Sequence, residues 1–211
     1  MTGITLGAES LTGDRGIEAD HSPFKIGMTD SQTHVLVLLG SLRADSLNRR
    51  IAERLHTHAP EGVVVEVAEG LGEIPFYNEE LDGLDLPEAA RRLREQVAAA
   101  DRVLAVTPEY NGTMPAVLNN AIDWLSRPYG VGAITGKPFA VVGATPTPYG
   151  GKWSHDDARR SARIAGADVL DHVVVSESAL AGDILADPEV VARLVGALTV
   201  LVAHEKDTVA A

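Results

Sequence analysis

Two spacings of apolar residues alternate along this chain. Residues 34–39 (His-Val-Leu-Val-Leu-Leu) form a short continuous apolar run, the pattern of a strand buried on both faces. Leu47, Ile51 and Leu55 then recur at every fourth position, which predicts a helix. The cycle repeats. Residues 63–67 are β-branched and read as a second strand. After residues 74–78 comes the helical stripe Leu86, Ala90, Leu93 and Val97, with Asp85 and Pro87 suiting its start. Residues 103–106 make a third strand, followed by Val117, Leu118, Ala121, Ile122 and Leu125 on a helix that has Pro115 in its first turn. Residues 139–142 are a fourth strand and end in the turn-rich stretch 143–151. A weak stripe over 156–165 predicts a helix, residues 169–175 a fifth strand, and Val191, Leu194, Leu198 and Leu201 a last helix opened by Asp187-Pro188-Glu189. Strand and helix in alternation imply an α/β domain with a parallel sheet, right-handed crossovers and helices on both faces. Ligands of such sheets sit at the carboxyl ends of the strands. The loops at residues 40–48, 107–114 and 143–153 are therefore the places to look for chemistry.

Composition narrows the classes. With 211 residues the chain has room for one two-sided domain, read here as residues 33–205. Residues 1–32 carry scattered glycines and no period, and read as a mobile extension dispensable for ligand binding. Residues 206–211 read as a short tail. The absence of cysteine excludes disulfides and thiol chemistry. A net charge of −12 disfavours nucleic acid and anionic lipid as partners. It also means that any phosphate site must be local, built from backbone N–H groups and a few placed arginines. No apolar run is long enough for a membrane span, and no export signal is visible, so the expected compartment is the cytoplasm.

The loop at residues 40–48 reads Gly-Ser-Leu-Arg-Ala-Asp-Ser-Leu-Asn and joins the first strand to the first helix. A helix N-terminus offers unpaired N–H groups and a partial positive charge. Ser41 and Ser46 add hydroxyls, Asn48 an amide and Arg43 a guanidinium fork, which together suit a monophosphate. The plain alternative is a capping loop with Asp45 or Ser46 as N-cap. The loop is neither a Gly-x-Gly-x-x-Gly fingerprint nor a P-loop, and the chain has no Gly-x-Ser-x-Gly elbow. The loop after the third strand, Thr107-Pro-Glu-Tyr-Asn-Gly-Thr-Met-Pro115, follows an irregular path that can meet a flat ring edge-on; taken alone, its Asn-Gly is an ordinary turn. Glu53, His56 and His58 lie close together on the first helix, but two donors at i, i+3 make a solvated face rather than a metal site. His155, Asp156 and Asp157 read as a helix start, and Asp171-His172 as part of a strand. Trp124 reads as core or interface, and Arg91, Arg92 and Arg94 as a basic helix face.

Taken together, these blocks resemble the NADPH-dependent FMN reductases, a family that includes bacterial quinone and chromate reductases and azoreductase-like flavoproteins. The residues that carry the resemblance are Gly40-Ser41-Leu42-Arg43 with Ser46 and Asn48, then Ile74-Pro75-Phe76-Tyr77-Asn78, then Thr107 to Asn111 and Asn119 to Arg127. The resemblance implies a flavodoxin-like three-layer sandwich with strand order 2-1-3-4-5. It implies FMN as cofactor and NADPH or NADH as co-substrate, a small-molecule electron acceptor such as a quinone or free flavin, and a homodimer or homotetramer. It further implies that Ser41, Arg43, Ser46 and Asn48 hold the FMN phosphate and that Pro108, Glu109, Tyr110 and Asn111 line the ring. Tyr77, Thr145, Gly150 and Gly151 complete the set. One loop departs from the family's small, Gly-rich pattern: Pro146, Pro148, Tyr149 and Trp153 make residues 143–153 bulky. The reading that competes with a reductase is a flavodoxin-type electron carrier without NAD(P)H activity, against which Arg43 argues. Self-association is also expected from the apolar surplus of the helix near residues 115–127.

Overall fold

A computed structural model of the chain describes residues 32–83 and 85–205. The extension expected over residues 1–32 lies, but for Gln32, outside the described residues, as does the tail over 206–211. In chain order the elements are β1 (Thr33–Leu39), α1 (Leu47–Thr57), β2 (Val63–Val67), α2 (Glu88–Ala99), β3 (Arg102–Val106), α3 (Ala116–Leu125), β4 (Pro138–Thr145), α4 (Lys152–Ile164), β5 (Asp168–Ser178) and α5 (Pro188–Ala203). The five strands form one sheet in the order β2-β1-β3-β4-β5, and every pairing is parallel. This is the flavodoxin-like sandwich expected from the resemblance.

Alternation along β1 shows how the three layers arise. Val35, Val37 and Leu39 point into a core shared with α1 and α5, while Leu36 and Leu38 point into a second core shared with α2, α3 and α4. Because both faces are covered, the strands read as unbroken apolar runs. α5 begins at Asp187, whose side chain accepts from the Glu189 N–H, with Pro188 in the first turn.

Three boundaries differ from the pattern: the ends of β4 and β5, which lengthen together, and the start of α4. β4 continues through Gly143, Ala144 and Thr145, which pair with Ser176, Glu177 and Ser178 of β5. Glycine and nearby prolines suggested a turn there, but ladder bonds to β5 hold the segment extended. α4 starts at Lys152, four residues before the apolar stripe suggested, because its buried face is made of Ser154, His155, Ala158, Arg159 and Ala162. A face so polar and small leaves little periodic signal. The surplus on α3 also has an explanation inside the protomer: Leu118, Ala121, Ile122, Trp124 and Leu125 are all buried there. That helix therefore gives no support to a subunit interface.

Candidate functional site

The loops after β1, β3 and β4 meet above the carboxyl edge of the sheet, and small residues make that meeting possible. A Cβ on Gly40 would lie 2.1 Å from Thr107 Oγ1, and one on Gly143 would lie 2.2 Å from the Thr107 carbonyl oxygen and 2.8 Å from Asn48 Oδ1. Asn48 binds across the same gap. Its Nδ2 donates to the Ala144 carbonyl at 2.8 Å and its Oδ1 accepts from the Ala144 N–H at 3.0 Å. This side chain thus ties α1 to the end of β4, with one amide proton left over.

Ser46 is the N-cap of α1, in extended conformation, and its hydroxyl makes no capping bond. The first intrahelical bond runs from the Arg50 N–H to the Ser46 carbonyl, so the N–H groups of the preceding turn have no partner in the helix. Ser41 and Ser46 are buried, whereas Arg43 is exposed. A second arginine joins them, one that the sequence pattern did not single out: the Nε of Arg49 is buried without a partner, and Arg49 lines a cavity of about 170 Å³ with Ser41, Leu42, Gly70 and Glu73, the last of which is paired with Arg92. The one signal for it in sequence is its place in the first turn of α1. A buried guanidinium N–H without a partner costs about 1–3 kcal/mol, which an anion would recover. Uncapped N–H groups, two hydroxyls and two arginines are a donor set suited to a phosphate ester.

Pro108 is buried and Glu109 half-buried, while Tyr110 and Asn111 are exposed. Residues 110–113 close a two-residue hairpin: Tyr110 N–H donates to the Thr113 carbonyl at 3.0 Å and Thr113 N–H to the Tyr110 carbonyl at 3.1 Å. Asn111 and Gly112 both have positive φ, the pattern of the type I′ turn for which Asn-Gly is the strongest signal. The carboxylate of Glu109 is already engaged, accepting from the N–H groups of Trp153 at 3.0 Å and Ser154 at 3.2 Å at the start of α4. Both bonds fall on Oε2 and hold the side chain towards α4.

His155, read from sequence as part of a helix start, is the pin beneath this loop. It is fully buried, with Nε2 at 3.1 Å from the Thr107 carbonyl and Nδ1 at 2.6 Å from Ser176 Oγ. Burial pushes its pKa down to about 4. A carbonyl only accepts, so the neutral ring carries its proton on Nε2, and Nδ1 accepts from Ser176. Ser154 Oγ and Thr107 Oγ1 both donate to the Pro108 carbonyl, at 2.7 and 3.0 Å. Thr145 ends β4 and is buried, and Gly150 and Gly151 lead into α4. Gly150 has φ +64° and packs so tightly on β5 that a Cβ would sit 2.4 Å from the Ser176 carbonyl oxygen.

Tyr77 stands apart from these loops. Its ring meets Trp124 edge-on with centroids 5.0 Å apart, the Arg127 guanidinium lies 5.4 Å from its centroid, and its N–H donates to Asn120 Oδ1. Trp124 Nε1 and Asn120 Nδ2 both bind the Pro75 carbonyl, so these side chains of α3 fasten residues 74–77. The three arginines of α2 are also paired: Arg91 with Glu88 and Glu95, Arg92 with Glu73, and Arg94 with Asp82. No metal-binding cluster is present among the described residues. His56 instead binds the Val65 carbonyl and His58 the Arg54 carbonyl. A cavity of about 690 Å³ runs along the edge strand β2, but Glu53, Glu66 and Glu69 line it, and a phosphate would be repelled there. The loop cleft is the better candidate.

Known proteins share this sequence pattern and fold. Residues 33–181 match the family described as NADPH-dependent FMN reductase. The chain belongs to this family. The relatives of this FMN reductase include a quinone reductase of Pseudomonas putida, 44% identical over 127 residues that cover 60% of this chain and 68% of the relative. A 2-hydroxy-1,4-benzoquinone reductase of Burkholderia is 44% identical over 111 residues, covering 53% of this chain and 60% of the relative. The flavoenzyme NAD(P)H:(acceptor) oxidoreductase of Paracoccus denitrificans superposes with a TM-score of 0.70 at 29% identity, covering 80% of this chain and 97% of that one. The protein is accordingly an oxidoreductase with FMN as cofactor and NAD(P)H as co-substrate. A carrier without NAD(P)H activity is not favoured. No helix among the described residues is long and apolar enough to cross a membrane.

Proposed function

We propose that this FMN reductase is an NAD(P)H:quinone oxidoreductase whose flavin lies across the carboxyl ends of β1, β3 and β4. NAD(P)H, a proton and a quinone become NAD(P)⁺ and a hydroquinone, a balanced transfer of two electrons. The observation that carries the reading is the donor set at the start of α1, where Ser46 leaves its turn uncapped and Arg49 has a buried N–H without a partner. FMN, when bound, supplies the hydride chemistry, so no side-chain acid or base is required of the protein.

The chain's own residues bind and orient. Ser41, Ser46 and Arg43 hold the phosphate with the first turn of α1, Arg49 reinforces them, and Asn48 sets the distance between α1 and β4. The backbone of residues 108–111, stiffened by Pro108 and the Asn111-Gly112 turn, faces the edge of the ring. Thr145, Gly150 and Gly151 form the opposing wall. Tyr77 acts at one remove, through the loop it anchors. We place the protein in the cytoplasm as a homodimer or homotetramer, with the exposed Phe76, Tyr129 and Val131 as apolar surface left for a partner. The test is direct. The purified protein should show a flavin spectrum that NADPH or NADH bleaches without oxygen and that a quinone restores. A colourless protein that FMN does not restore, or a bound flavin that neither nucleotide bleaches, would refute the assignment.

A further inference from the structure

Four bulky residues, Pro146, Pro148, Tyr149 and Trp153, stand between the end of β4 and the first turn of α4, and two of them form a pair. The rings of Tyr149 and Trp153 lie 4.7 Å apart at 49°, and both are exposed to solvent, at 60% and 46%. Exposed aromatic pairs are costly to keep on a surface, since each ring leaves apolar area in water that the core would accept. Trp124, by contrast, is fully buried.

The position of the pair is set by the site. The Trp153 N–H donates to Glu109, and the next residue, Ser154, donates to the Pro108 carbonyl, so Trp153 is fastened directly to the loop proposed to face the flavin ring. Tyr110 on that loop is also exposed, at 46%. Three exposed aromatic residues therefore lie on the segments that follow β3 and β4. The pair's own loop is incomplete as it stands: Thr147 Oγ1, between Pro146 and Pro148, is buried without a hydrogen-bond partner. Pro146 and Pro148 restrict the backbone that carries Tyr149, which holds the pair in place before any ligand arrives.

Building on the quinone reductase reading, we propose that Tyr149 and Trp153 are specificity-determining residues: an aromatic wall that stacks flat, fused two-ring acceptors and so favours naphthoquinones over benzoquinones. A fused two-ring system offers about twice the face of a single ring to a tilted pair, and stacking gain scales with the overlapped area.

The experiment compares wild type, Trp153→Ala, Trp153→Phe and Tyr149→Ala as FMN-loaded proteins. Calorimetric titration of menadione and of benzoquinone into the oxidised proteins, with no NAD(P)H, gives binding independent of turnover; steady-state assays give KM for both quinones, for NAD(P)H and for ferricyanide. Trp153→Ala should raise Kd and KM for menadione by roughly tenfold, the equivalent of one good aromatic contact, and change the other values by less than about threefold. Trp153→Phe should keep most of the preference, and Tyr149→Ala should lose part of it. Equal loss for both quinones, no loss for menadione, or a change confined to NAD(P)H would each overturn the proposal. A wild type that NAD(P)H cannot reduce would overturn the reductase reading instead, and the calorimetric comparison would still decide whether the pair selects fused rings.

Discussion

The buried imidazole of His155 makes the stability of this protein depend on pH. In the folded chain its pKa is about 4, because burial disfavours the charged ring; the ordinary value is 6.5. The folded-state value is depressed, so the unfolded chain binds the proton first as pH falls. The stability is fully present above about pH 6.5 and is lost as pH drops towards 4. Each tenfold difference in proton affinity between the folded and unfolded chain is worth about 1.4 kcal/mol. The whole window therefore contributes roughly 3 kcal/mol, of which about 2 kcal/mol is lost between pH 7.5 and 5. The comparison variant is His155→Gln, whose amide can still donate to the Thr107 carbonyl but does not titrate. Urea unfolding of both proteins at four pH values between about 5 and 7.5 measures the effect, and the other histidines cancel in the difference. Wild type should lose about 2 kcal/mol more than His155→Gln across that range. Parallel pH profiles would refute the argument and mean that His155 is hydrated or already charged in the folded protein.

Other consequences are as concrete. Arg43→Ala should weaken FMN by about one to two powers of ten and leave riboflavin nearly unchanged, as expected for a charge-assisted phosphate contact; equilibrium dialysis with both flavins checks it. Asn48→Ala leaves the Ala144 N–H and carbonyl without their partner and should cost about 1–3 kcal/mol in denaturant unfolding, even without flavin. Asp82→Asn strands the largely buried Arg94, whose guanidinium binds both carboxylate oxygens at 2.7 Å, and should cost about 3–5 kcal/mol. The hydrogen bonds from Arg94 hold the Asp82 carboxyl below its ordinary 3.8, so the stability it contributes persists above that pH and disappears only as pH falls further. Gly143→Ala drives a Cβ against the Thr107 carbonyl and should destabilise by about 3 kcal/mol while also weakening FMN, read by thermal unfolding and flavin release.

Spacing alone was enough for the alternation of strands and helices, because strands buried on both faces and helices with one apolar stripe write different periods into the chain. The candidate phosphate loop was legible for a similar reason: serines, an arginine and a helix start are neighbours in sequence. So was the turn at Asn111-Gly112. What spacing could not supply was partnership. Strand order came with the family resemblance, not from any period, and the continuation of β4 to Thr145 depends on a ladder with β5. Asn48 reads from sequence as a ligand alone, and only the fold shows its amide also tying α1 to Ala144, 96 residues away. Trp124 and its apolar neighbours on α3 read as surplus until residues 74–77 are seen to be anchored on that helix. His155 and Arg49 gave almost no signal, since a polar residue becomes a buried one only when elements distant in sequence close over it. Local periodicity is set by the backbone geometry of a single element. Burial and hydrogen-bond partners are set by which elements pack together, and that is decided only in the folded chain.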